Sequence, residues 1–97
     1  MTSLAVVIPL FDKRAFIGEA IASLAGQEAP PDALIIVDDA STDGSAEAAE
    51  QALSRHATAL GNTRVELIRC TENGGPGAAR NRGIRTLYLT CLPENVA

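Results

Sequence analysis

In Ile35-Ile36-Val37-Asp38-Asp39-Ala40-Ser41-Thr42-Asp43-Gly44-Ser45 an apolar, β-branched run stops at two adjacent carboxylates. Ser, Thr, Asp and Gly then lead into an alanine-rich segment. A run of this kind reads as a strand that ends at the acids. In open α/β sheets ligands sit outside the carboxyl ends of the strands, which makes Asp38 and Asp39 candidates for a binding crevice. The same residues also suit a plain strand-to-helix loop, with Ser41 or Asp43 capping the next helix. The flanking sequence favours the crevice.

Working outward, strand and helix patterns alternate. Leu4-Ala5-Val6-Val7-Ile8, closed by Pro9, predicts a first strand buried on both faces. From Arg14 to Gln27, Phe16, Ile17, Ala20, Ile21 and Leu24 recur at helical spacing, and Gly26 lies near the end. Pro30-Pro31 forces an extended connector into a second strand over Ala33 to Val37. Ser45 to Leu60 is rich in Ala and Glu and predicts one helix, ended by Gly61-Asn62. Arg64 to Cys70 predicts a third strand, Asn73-Gly74-Gly75 a turn, and Pro76 the start of a third helix reaching about Thr86. Leu87 to Leu92 suits either a fourth short strand or the end of that helix. Two consecutive βαβ units imply right-handed crossovers in an open sheet of parallel strands with helices on both faces, a three-layer α/β fold.

Composition narrows the function. With 97 residues the chain forms at most one small domain, and 46% hydrophobic content suffices for a packed core. A net charge of −4 argues against nucleic-acid binding, which calls for a basic face. Cys70 and Cys91 have neither metal spacing nor a disulfide framework, so a reducing, cytoplasmic setting is the default, with both thiols as small buried hydrophobes. No segment approaches the length of a membrane span, and no basic region precedes the first apolar run. His56, the sole histidine, lies among polar neighbours and is expected at the surface.

Three loops should open on one edge of the sheet: Pro9 to Lys13, Asp38 to Ser45, and Thr71 to Gly77. A nucleotide needs a flat apolar partner for its base, an acceptor for a base N–H, and cations or backbone N–H groups for phosphate. Phe11 offers the first, Asp38 or Asp39 the second, and Arg80, Arg82 and the third helix N-terminus the last. Phe11 also suits core packing, and at least one of the two arginines suits a solvated helix face. Asn73-Gly74-Gly75-Pro76-Gly77 matches neither a P-loop nor a dinucleotide fingerprint.

Three blocks together, Val6 to Lys13, Ile36 to Ser45 and Asn73 to Ile84, resemble the family 2 glycosyltransferases in order and separation. The resemblance covers roughly residues 3 to 84. It implies a GT-A, Rossmann-like fold and inverting transfer of a sugar from a nucleotide-sugar donor, a UDP-sugar first of all, to an acceptor hydroxyl. Carried over by position, it implies that Pro9, Leu10 and Phe11 line the base pocket. Asp39 would accept a hydrogen bond from the base, Asp38 would support the loop, and Gly75 and Arg80 would lie beside the nucleotide. Phe11 and Asp12 stand where the family often has Tyr and Asn.

The family binds Mg²⁺ or Mn²⁺ through an Asp-x-Asp motif beyond the third helix and uses a later carboxylate as base. Here the one acid after Glu72 is Glu94, so those ligands and the base are absent and no catalytic or metal-binding residue is assigned. The expectation is a partial nucleotide-binding region over residues 1–86 followed by an atypical tail over residues 87–97, inactive alone. Its first strand would lack a neighbour, leaving an edge open to self-association. The alternatives are a non-catalytic nucleotide-binding or structural fragment and, less favoured, a receiver-like signalling module. A cytoplasmic location, or the inner face of a membrane in a longer form, is expected.

Overall fold

The computed structural model describes residues 4–91. In chain order the elements are β1 (Ala5–Leu10), α1 (Arg14–Ala25), β2 (Ala33–Asp38), α2 (Ser45–Arg55), α3 (Ala57–Leu60), β3 (Arg64–Arg69) and α4 (Pro76–Cys91). The strands form one parallel sheet in the order β1-β2-β3, with Ala5 opposite Ala33 and Ala33 opposite Arg64.

Side-chain alternation along β2 divides the core in two. Leu34 and Ile36 face α1 and α2, where Ile17, Ile21, Ala49, Ala52 and Leu10 close the larger cluster. Ile35 and Val37 face α4 and pack with Ala79, Val7 and Ile68. Helices therefore cover both faces, the three-layer α/β arrangement expected. On the α4 side Gly83 sets the approach: a Cβ there would stand 2.3 Å from Val7 Cγ1 and 3.1 Å from Val37 Cγ2. Only a residue without a side chain lets the helix backbone settle onto those two strands.

Four expectations change. β1 does not stop at Pro9 but continues through Leu10. The carbonyls of Leu4 and Leu10 accept N–H groups from Ala33 and Asp39, so even-numbered residues turn their backbone groups toward β2. Pro9 lies out of phase, and its missing N–H falls on the far side of the strand, where proline is tolerated. Nor is β1 buried on both faces. Its residues are mostly half-buried or exposed because, among the described residues, it is an edge strand. The predicted Ser45 to Leu60 helix breaks at His56, a half-buried residue, and the turn brings Leu60 into the core. Finally, α4 runs on through Cys91, so residues 87–91 are helix rather than strand. Leu92 and Glu94 lie outside the described residues.

Candidate functional site

Parallel pairing brings the carboxyl ends of all three strands to one edge, and the ladder continues just beyond them. Asp39 donates its N–H to the Leu10 carbonyl at 2.8 Å, and Cys70 donates to the Asp38 carbonyl at 2.8 Å. The loops that follow are bound to each other. Thr42 N–H donates to Asp12 Oδ1 at 2.8 Å, while Asp12 N–H donates to Ser41 Oγ at 3.0 Å. Lys13 N–H donates to Ser45 Oγ at 2.9 Å, and Arg14 N–H to Asp43 Oδ2 at 3.2 Å. Asp12 and Ala40 hold positive φ values of 48° and 62°, conformations this stitching maintains against the strain of their Cβ atoms.

The α2 entrance differs from the simple cap expected there. Gly44, in the left-handed region, occupies the cap position, and Asp43 Oδ1 accepts both the Ser45 N–H and the Ser45 hydroxyl. That hydroxyl bond is the main reason the Asp43 carboxyl titrates below the ordinary carboxylate value. Ser41 does not cap the helix; its N–H donates to Asp38 Oδ2 at 3.3 Å.

The acid pair divides between the two faces of the sheet. Both residues are 3% exposed. Asp38, on the α2 side, has one carboxylate oxygen, Oδ1, with no hydrogen-bond partner. Its cross-strand neighbour Arg69 instead reaches Glu47 at 2.6 Å and Glu50 at 3.3 Å. Asp39, on the α4 side, accepts the Gly74 N–H through Oδ1 at 2.8 Å and the Gly75 N–H through Oδ2 at 2.9 Å. The turn this carboxylate grips depends on Gly75, whose φ is +87°.

The other sequence-nominated residues are dispersed around Asp39. Pro9 is exposed at the end of β1, and Leu10 is buried in the larger core cluster, so the strand carries it beneath the loop. Phe11 is 43% exposed, on the β1 flank of Asp39. Arg80 is exposed on α4. On the β3 flank, Asp39, Thr71, Glu72, Asn81, Arg82 and Arg85 help to line a cavity of about 510 Å³. Pro9, Leu10, Phe11, Gly75 and Arg80 are not part of its wall. Cys70 is half-buried and lines the same cavity, so it is less enclosed than expected. Sequence reasoning missed Asn81, Thr71 and Arg85. The signal for the first and last was their helical spacing with Arg82, visible once Pro76 is taken as a helix start.

Among the described residues no three His, Cys, Asp or Glu side chains converge on a point that would hold a metal ion. Each Asp39 oxygen already meets a backbone N–H, and the unpartnered buried acceptors are Asp38 Oδ1 at the end of β2 and Glu66 Oε2 within β3. The donor set of a divalent cation is not assembled from these residues.

A parallel three-stranded sheet with helices on both faces, its loops bound together at the carboxyl edge, is the architecture of a Rossmann-like GT-A fold. The model of glycosyl transferase family 2 matches residues 5–88, and the chain belongs to that family. It is 30% identical over 98 residues to an uncharacterized glycosyltransferase of Haemophilus influenzae, covering 98% of this chain and 37% of the relative. The chain thus spans little more than a third of that relative's length. Among solved structures it is similar to the mannosyltransferase PcManGT of Pyrobaculum calidifontis, in complex with GDP-Man and Mn²⁺. The TM-score is 0.67 at 28% identity, over 84% of this chain and 23% of the other.

Proposed function

We propose that this chain supplies the nucleotide-binding part of an inverting glycosyltransferase, which moves a sugar from a nucleoside diphosphate sugar to an acceptor hydroxyl. The observation that carries the proposal is the buried Asp39 carboxylate at the carboxyl edge of the sheet, joined to the glycine turn before α4. Each of its oxygens keeps a further lone pair for a base N–H. Phe11 offers a partly exposed ring for stacking, and Arg80 a cation for phosphate. Gly75 is the other nucleotide neighbour, through its backbone. Pro9 and Leu10 set the height of the loop that carries Phe11, and Asp38 holds the Ser41 N–H on the opposite side.

In the proposed reaction the acceptor oxygen attacks the anomeric carbon as its bond to the diphosphate breaks, giving inversion, and the acceptor proton passes to a base. The described residues contain neither a metal donor set nor an assigned base. In this proposal both functions lie outside the described residues. On this reading the described residues bind the nucleotide and supply neither of those two functions. A purely non-catalytic nucleotide-binding or structural role is the competing reading.

A uridine nucleotide was the expectation from sequence, and the GDP-Man in PcManGT makes guanosine an equal contender. No described helix is long and apolar enough to cross a membrane, and a cytoplasmic site of action remains part of the proposal. Calorimetric titration with UDP and with GDP, each with and without Mn²⁺, tests it. Binding that is unchanged by Mn²⁺ and lost in Asp39→Ala is expected. Metal-dependent turnover of a nucleotide-sugar by this chain would overturn the assignment of metal and base elsewhere.

A further inference from the structure

We infer that the cavity on the β3 flank of Asp39 is a second site, for a phosphate group, built by Arg82 and Arg85 and sharing only Asp39 with the proposed nucleotide contacts. α4 presents three different sides. Ala79 and Gly83 are buried against the sheet, whereas Arg80 and Ile84 are exposed. Ala78, Asn81, Arg82 and Arg85, spaced three, one and three residues apart, line the cavity from the helix. Opposite them stand Thr71 and Glu72, which follow β3. Phe11 follows β1, and β2 lies between the two. A base stacked on Phe11 lies toward the β1 flank, and Asp39, which also lines the cavity, is the residue the two sites would share.

The unpaired guanidiniums select the ligand. Among the described residues the ion pairs are Arg69 with Glu47 and with Glu50, so neither Arg82 nor Arg85 has an acidic partner. Asp39 also lines the cavity and keeps its negative charge, with its two oxygens turned to the Gly74 and Gly75 amides. The wall thus holds two guanidiniums without an ion-pair partner beside the buried carboxylate of Asp39 and the exposed one of Glu72. A phosphate group carries close to two charges near neutral pH and several acceptor oxygens. Two planar guanidinium forks, the Thr71 hydroxyl and the Asn81 amide provide donors for them. A cavity of about 510 Å³ is in the range that holds a small molecule, so an ester as well as the free ion fits.

The test is an NMR titration of the ¹⁵N-labelled 97-residue chain at low ionic strength, with inorganic phosphate and then with a hexose phosphate. Saturable shifts are expected at the amides of Thr71, Glu72, Asn81, Arg82 and Arg85. The double variant Arg82→Gln/Arg85→Gln should weaken binding by about tenfold or more. Arg55→Gln, which removes a charge on α2, should leave it unchanged, and Glu72→Gln should tighten it. Both arginines are exposed, so unshifted amides in β1 and β2 verify the fold of the double variant. Tighter binding of the hexose phosphate supports the site and identifies an ester as its ligand; equal binding supports it with the free ion. Three results would overturn it: no saturable shift, equal loss in Arg55→Gln, or shifts at these residues with UDP or GDP but not with phosphate. The last would assign Arg82 and Arg85 to the donor nucleotide and leave the proposed function standing.

Discussion

The Asp39 carboxylate accepts the Gly75 N–H at 2.9 Å across 36 residues of chain, and Gly74 donates to its other oxygen at 2.8 Å. One side chain at the end of the central strand thereby fixes the turn that starts α4. The same residue is proposed to meet the base, so loop order and nucleotide affinity are joined in it. Asp39→Asn replaces one acceptor with a donor that faces an N–H. Stability should fall by about 1–3 kcal/mol, the range for leaving a partly buried polar group unpaired. Urea unfolding measures that loss. Amide exchange at Gly74 and Gly75 should quicken together, and unchanged exchange there would mean that the carboxylate does not hold the turn.

Two glycines in helix interiors should respond to alanine with opposite sign. Gly18 in α1 has no atom within 4 Å of a built Cβ, so Gly18→Ala should stabilise by about 0.5–1 kcal/mol through helix propensity. At Gly83 the same methyl would stand 2.3 Å from Val7 Cγ1, and overpacking of this kind costs about 1–3 kcal/mol. A raised urea midpoint for Gly83→Ala would show that α4 does not pack on Val7 and Val37 as described.

Ser45 is fully buried and works in two directions, accepting from the Lys13 N–H and donating to Asp43. Ser45→Ala should cost about 1–3 kcal/mol, because the Lys13 N–H loses its acceptor. A pH dependence follows from the Asp43 carboxyl, whose folded-state value lies below its ordinary 3.8. With a depressed folded value, the contribution is complete above the unfolded value and is lost as pH falls through the folded one. Wild-type stability should thus decline below about pH 3.8. The decline should be shallower in Ser45→Ala, where the main cause of the depression is gone. Parallel unfolding curves for the two proteins across pH 2 to 5 would remove Asp43 from this account.

Sequence carried the fold well wherever the determinant was local. The apolar run at Ile35 to Val37, the helical spacing of Ile17 and Ile21, and Pro76 as a helix start are periodic or positional signals. Asp39 was legible as a candidate because an apolar, β-branched run stopped at the acid pair, yet its glycine partners were not. A bond across 36 residues leaves no trace in local pattern. Pro9 was misread for a related reason. Proline ends a central strand but is accommodated on an edge, and which of these β1 is depends on neighbours that its own residues do not specify. The cavity arginines were only partly legible, since Arg82 stood out by charge while the flank it shares with Arg85 needs the helix axis.

The last prediction concerns that edge. With the carbonyls of Leu4 and Leu10 turned toward β2, the backbone groups of Ala5 and Val7 face away from it, and no described strand pairs with them. Pro9 removes one donor from this row without closing it. Unpaired N–H and C=O groups on a strand whose neighbours include Val6, Val7 and Ile8 are a template for a second strand. The 97-residue chain should therefore dimerise with rising concentration, and sedimentation velocity over a hundredfold range would display it. Ala5→Lys, at an exposed position, places a charge beside the edge and should shift the equilibrium toward monomer. Hydrogen exchange adds a site-resolved check, because the Val7 amide should be protected only in the dimer. A monomer at every concentration with a protected Val7 amide would show that the edge is covered within one chain.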